Sequence, residues 1–342
     1  MCAASIAHSI AGMRYIIIGA GAVGGVIGGR LIQGGNDVVL VARGAHLAAL
    51  RADGLRLVTV EGSTTLPVRA VADPGELGEL RADDVLVLAV KSQDTVAALT
   101  QWAAAPVAGG GIAADRLALV CAQNGVENER VAQRIFRTVY GMCVWLPATH
   151  LEPGVVVLHV APLSGILTLG RYPHGSDSSI TEFGKHLAAS EFLAPVVEDV
   201  MRWKYGKLLN NLSNALLALL DDTDEPADDL RQGVRAEGET VLAAAGIPYA
   251  DESERQVIQG DRMELQYIAS VPRLGGSTYQ SLARATGSAE VDYLNGEIAL
   301  LGRLHDVPTP INDLLQRLVT EYARDRREPR DLSPSRLRAL LG

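Results

Sequence analysis

Tyr15-Ile16-Ile17-Ile18-Gly19-Ala20-Gly21-Ala22-Val23-Gly24 decides the fold of the N-terminal half. A β-branched run of this kind reads as a buried strand, and the glycines that follow read as a tight turn opening a helix. The spacing is G-x-G-x-x-G in its required setting: strand before, helix from about Val23 to Gln33, and a second strand after it. Gly19 allows the turn, Gly21 lets backbone approach a diphosphate, and Gly24 lets helix and strand pack closely. The helix start then offers N–H groups and a positive dipole end to phosphate. Gly19, Ala20, Gly21, Ala22, Val23 and Gly24 are therefore expected to cradle the diphosphate of a dinucleotide.

Working outward, the second strand is expected at Asp37 to Val41, followed by Ala42-Arg43. NAD binders usually place Asp or Glu at this point to bond the ribose 2′-hydroxyl. A guanidinium there suits a 2′-phosphate instead, so Arg43 points to NADPH over NADH. A helix at Ala45 to Asp53 and a hairpin follow, the latter from Leu55 to Val60 and Thr65 to Val71. Further strands are expected at Val85 to Val90 and Leu117 to Ala122, with a helix at Asp94 to Ala104 between them. This alternation implies right-handed crossovers and a doubly wound, mostly parallel α/β sheet, the Rossmann arrangement. Strand-like runs continue at Val139 to Leu146, Val155 to Val160 and Ile166 to Leu169. Near residue 175 the pattern turns helical: a long helix within Phe192 to Leu220, then Pro226 to Ala245, Ala289 to His305 and Ile311 to Arg324. The expected organisation is a loose extension over 1–12, a Rossmann NADP-binding domain over 13–175, and an all-α substrate domain over 176–342.

Composition narrows the function classes. Nearly half of the 342 residues are apolar, enough for a large core, and the net charge is −9. That charge argues against a nucleic-acid partner, which needs clustered Lys and Arg. Asp221 to Asp229 reads as a solvated acidic loop. Cys2, Cys121 and Cys143 have neither ligand nor disulfide spacing, and a reduced cytoplasmic setting is the default. His46, His150, His159, His174, His186 and His305 show no paired ligand spacing, so no metal is expected. No apolar run is long enough for a membrane span.

Five motifs in order resemble the ketopantoate reductase (2-dehydropantoate 2-reductase) family, from about Met13 to Arg324. They are the glycine turn with Arg43, Leu88-Ala89-Val90-Lys91, Gln123-Asn124-Gly125, Lys207-Leu208-Leu209-Asn210-Asn211, and Glu290-Val291-Asp292-Tyr293-Leu294-Asn295-Gly296. The resemblance implies a cleft between the two domains. It also implies an NADP-dependent oxidoreductase acting on a CH–OH group. Hydride would pass from nicotinamide to the 2-oxo carbon of 2-dehydropantoate, giving (R)-pantoate for pantothenate and coenzyme A synthesis. A homodimer through the helical domain would also be in keeping with the family.

Reducing a ketone needs an acid near the carbonyl oxygen, where negative charge develops. Lys207 resembles the family's catalytic lysine, and Lys207, Asn211 and Asn214 lie at i, i+4 and i+7 on one helix face. Lys204, three residues earlier, competes for the role. Glu290 resembles the family's glutamate that faces the lysine, and an adjacent carboxylate would orient Lys207. Lys91 and Asn124 resemble cofactor contacts, Asn124 also touching substrate with Asn211 and Asn214. Two features depart from the family. Ala215 stands where a second Asn is frequent, and Gly276-Ser277-Thr278-Tyr279-Gln280 replaces the usual serine loop. The hydroxyl that holds the substrate carboxylate is thus Ser277 or Thr278. These departures also leave two alternatives: a reductase of another 2-oxo acid or ketone, and a non-catalytic NADPH sensor.

Overall fold

The computed structural model describes residues 12–150, 152–223, 225–266, 268 and 275–342. Most of the expected N-terminal extension, and the expectation attached to it, lies outside these residues.

Eight strands form the main sheet: β1 (Arg14–Ile18), β2 (Asp37–Val41), β3 (Arg69–Val71), β4 (Asp84–Leu88), β5 (Ala118–Cys121), β6 (Thr138–Trp145), β7 (Gly165–Arg171) and β8 (Phe192–Leu193). Their spatial order is β8-β7-β6-β5-β4-β1-β2-β3. The stretch 3-2-1-4-5-6 is parallel throughout and has the dinucleotide-binding order. β7 pairs antiparallel to β6. Residue alternation along β1 explains why both faces are buried: Tyr15 and Ile17 enter one apolar cluster, Ile16 and Ile18 the other. At the lower edge of the sheet, Arg14 clamps Asp84 through two hydrogen bonds of 2.7 and 2.6 Å.

Helix α1 (Ala22–Gln33) covers one face and α2 (Gly44–Asp53) follows β2. The expected hairpin forms, but its second arm divides. Gly62–Leu66 pairs with Leu55–Thr59, whereas β3 leaves to join β2. Pro67 lies at the division and has no N–H to extend the ladder. A second sheet combines this hairpin with Val155–Leu158 and Ala148–Thr149. The expected strand 155–160 is likewise split, since Val160–Pro162 pairs with Met263–Leu265.

A helix begins at Ser178, where helical structure is expected, but the sheet continues beyond it. Helix α3 (Ser178–Ala188) sends Ile180, Phe183 and Leu187 into the sheet cluster, and β8 extends the sheet itself. The strands of the main sheet thus run as far as Leu193, and the helices from Val200 onward form the helical half. The single long helix expected within 192–220 is instead two, α4 (Val200–Asn211) and α5 (Ser213–Leu219), with a turn at Leu212. They pack with α6 (Asp228–Ala244), α7 (Asn295–Leu304) and α8 (Pro310–Asp325) around Leu212, Leu216, Val234, Ile298 and Leu315. The acidic stretch is more than a solvated loop. Asp222 pairs with Arg330, and Glu225 and Asp229 with Arg338, tying down the C-terminal helix Pro334–Leu341. Among the described residues, no helix is long and apolar enough to cross a membrane.

Candidate active site

The parallel strands end at one edge, and open α/β sheets bind ligands at that edge. Gly19 takes φ +102°, a left-handed conformation that favours glycine. A side chain on Gly24 would run into the carbonyl oxygen of Gly19, so α1 can approach the turn only with glycine there. Gly21 is different: a Cβ there would meet nothing within 4 Å. Its backbone faces open space, and no side chain caps α1. The first-turn N–H groups are left for a ligand, and the site fits a dinucleotide diphosphate.

Arg43 stands at the end of β2 with its side chain 90% exposed and one loose contact, Asp94 at 3.8 Å. The turn is braced by His46, which the sequence patterns assigned to no site. Its Nδ1 accepts from the Gly154 N–H at 2.9 Å, so its Nε2 carries the hydrogen and donates to the Ala20 carbonyl at 2.7 Å. Burial lowers the His46 pKa, in keeping with a neutral ring.

Beyond β4, Lys91 donates to Ser281 Oγ at 2.6 Å, and Ser281 Oγ donates to the Ser277 carbonyl at 2.9 Å. Burial lowers the Lys91 pKa, while the Glu290 carboxylate opposes that effect. Glu290 Oε1 accepts from the Ser92 N–H at 3.0 Å and from Ser92 Oγ at 3.2 Å. These contacts join the sheet half to the helical half across the cleft. They also correct the expectation that Glu290 orients Lys207: its carboxylate enters from the start of the short helix Glu290–Tyr293 and is held at the end of β4. Ser92 and Asn128 belong to this network, and the sequence patterns pointed to neither. Asn128 Nδ2 donates to Ser92 Oγ at 3.1 Å and to the Asn124 carbonyl at 2.9 Å. The Asn124 backbone is thereby fixed, while its side-chain amide bonds to none of the described residues.

The two competing lysines of α4 have different surroundings. Lys204 is buried in an ion pair with Glu129 and donates to the Gln123 carbonyl at 3.1 Å. That pairing commits it to the interior. Lys207 lies one turn further along, at the C-terminal end of β6. Its Nζ donates to the Val144 carbonyl and sits 4.6 Å from the centre of the Trp145 ring. Burial brings its pKa down to about 8, with the Lys204 and Arg255 charges acting in the same direction and Cys143 opposing. Asn211, the next turn of that helix, is 9% exposed, and its buried Nδ2 has no hydrogen-bond partner among the described residues. Asn214 packs against Gly276, where a Cβ would stand 2.9 Å from its Oδ1, and so borders the Ser277–Ala283 helix. Thr278 is buried and Ser277 half-buried, while Ala215 is sealed in the helical core. Among the described residues, no three His, Cys, Asp or Glu side chains gather as a metal site.

The comparisons bear on this cleft as a whole. A family model described as "Ketopantoate reductase PanE/ApbA" matches residues 15–174, and one described as "Ketopantoate reductase PanE/ApbA C terminal" matches residues 199–323. A 2-dehydropantoate 2-reductase of Mesorhizobium japonicum is 32% identical over 338 residues, covering 92% of this chain and 99% of the relative. One from Pyrococcus horikoshii is 28% identical, covering 90% of this chain and 96% of the relative. The crystal structure of a PanE/ApbA family ketopantoate reductase from Ralstonia eutropha superposes with a TM-score of 0.73 at 27% identity, covering 92% of this chain and all (100%) of that one. The fold is also that of a D-mandelate dehydrogenase solved with NADH and anilino(oxo)acetate, with a TM-score of 0.74 at 20% identity, covering 92% and 99%. With both halves of the cleft matched in sequence, and the fold matched along most of the chain, this protein belongs to the ketopantoate reductase family.

Proposed function

We propose that this chain reduces 2-dehydropantoate to (R)-pantoate with NADPH, Lys207 donating the proton. The observation that carries this reading is Lys207 itself, a half-buried ammonium at the ligand-binding edge of the sheet with a pKa near 8. Such a group is charged at neutral pH yet gives up its proton readily, as a general acid must. NADPH, when bound, supplies the hydride. Lys207 would leave the Val144 carbonyl to bond the substrate carbonyl oxygen, stabilise the charge that builds there, and protonate it. Asn211 has an unpartnered amide to offer a substrate hydroxyl, and a buried donor left unmatched costs about 1–3 kcal/mol until a ligand meets it. Asn124 and Asn214 extend that polar wall. Between the two candidate hydroxyls we assign Ser277 to the substrate carboxylate, because Thr278 is buried. Glu290 keeps its place in the machinery by holding Ser92 and offsetting Lys91, not by touching Lys207. The exposed Arg43 guanidinium at the end of β2 supports NADPH over NADH.

A second reading keeps the chemistry and changes the substrate to another 2-oxo acid. Ala215, buried where a polar residue is frequent in the family, favours it. Spectrophotometric NADPH oxidation with 2-dehydropantoate and a panel of 2-oxo acids, run beside NADH, separates the two. Turnover of another acid with negligible turnover of 2-dehydropantoate selects the second reading, and no turnover of any of them removes both.

A further inference from the structure

We propose that Arg284, carried by the helical half, closes over the glycine turn as a clamp for the diphosphate of the bound dinucleotide. Arg284 follows the Ser277–Ala283 helix and reaches across the cleft, where its Nη1 donates to the His150 carbonyl at 2.8 Å. The His150 ring lies 4.3 Å from the His46 ring, and His46 holds the Ala20 carbonyl of the glycine turn at 2.7 Å. Arg284 is thus linked to the turn through His150 and His46, although it is far from Ala20 in sequence. The Arg284 charge also acts on Lys91, which is tethered to Ser281 one helical turn before Arg284.

Two cations therefore converge beside a turn whose N–H groups face open space. Burial disfavours the Arg284 charge, and no carboxylate among the described residues offsets it. A part-buried guanidinium without a counter-charge is costly unless an anion completes it. Its planar fork is suited to two phosphate oxygens, and its approach from the helical half would couple cofactor binding to cleft closure. The diphosphate is favoured over the substrate carboxylate because the contacts of Arg284 lead through His150 and His46 to the glycine turn, whereas Asn211 belongs to the helix that carries Lys207.

The inference rests on the dinucleotide reading but not on the identity of the oxo acid. The test is direct titration of NADPH by fluorescence against wild type, Arg284→Ala and Arg284→Lys, with the KM for the oxo acid measured at saturating NADPH. The expected result is an NADPH Kd raised at least tenfold in Arg284→Ala and by a smaller factor in Arg284→Lys, the oxo-acid KM staying within twofold. An NADPH Kd within twofold of wild type in both variants overturns the proposal. So does an oxo-acid KM that rises as much as the Kd or more, which would assign Arg284 to the substrate carboxylate. Arg284→Lys keeps the charge, and it decides the matter by the same Kd comparison should Arg284→Ala fail to fold. Wild type that binds NADPH but reduces none of the acids would sink the proposed reaction and leave the clamp to be judged by Kd alone.

Discussion

The two walls of the cleft are made of different material. The sheet wall presents mainly backbone, a glycine turn, a helix start and strand ends braced by His46 and Asn128, with Arg43, Lys91 and Asn124 as its side-chain groups. The helical wall presents side chains that can be regrouped: Asn211 Nδ2 has no partner among the described residues, and Lys207 rests on a backbone carbonyl. Backbone recognition suits a cofactor that is the same in every turnover, and spare side-chain groups suit a substrate that must be gripped and then changed. The same contrast recurs within α4. Lys204 is spent on Glu129 to hold the halves together, whereas Lys207, one turn on, has no carboxylate partner among the described residues.

The sharpest way to break this comparison is to remove each lysine. Lys207→Ala should lower kcat on the order of 10²–10⁴-fold, the span of general acid catalysis, with NADPH affinity kept. Lys204→Ala should instead act on stability. It leaves Glu129 buried and unpaired, and urea unfolding should show a loss of about 3–5 kcal/mol. If the lysines exchange these phenotypes, the assignment is reversed.

Arg43→Ala tests the sheet wall. Losing a charge-assisted phosphate contact should cut the preference for NADPH over NADH on the order of tenfold, read as the ratio of the two kcat/KM values. An unchanged ratio would make Arg43 an ordinary surface residue. Asn211→Ala tests the helical wall more finely. Removing an unmatched buried donor should leave the apo protein as stable as before or slightly more so, while the oxo-acid KM rises several-fold. A loss of thermal stability with KM unchanged would show that Asn211 is structural.

How far each wall was legible in the sequence follows from the same difference. β1, β2, the glycine turn and Arg43 follow from local patterns: β-branched runs, glycine spacing and one charge at a strand end. The sheet order then follows from crossover geometry. The break at Leu212 was not legible, because both flanking segments are apolar on the same side and Leu212 keeps helical backbone angles. Nor was the bridge from Ser92 to Glu290, which joins residues 198 positions apart and leaves no periodic trace. Lys204 and Lys207 share a helix and a composition, and the family pattern favoured Lys207. Only the position of Glu129 shows where Lys204 is spent. Arg284 escaped notice for a similar reason, since its neighbours come from the glycine turn side of the sheet half. The Ser277–Ala283 helix that leads to it was expected as a loop.

The pH dependence of kcat/KM for NADPH-driven reduction of 2-dehydropantoate tests the central claim most directly. Lys207 acts in its protonated form, and its pKa is brought down to about 8. The account predicts a plateau below that pH and a fall approaching tenfold per pH unit above it, with this limb absent from the residual activity of Lys207→Ala. A profile flat from about pH 6 to pH 10, or a limb that persists unchanged in Lys207→Ala, would contradict it.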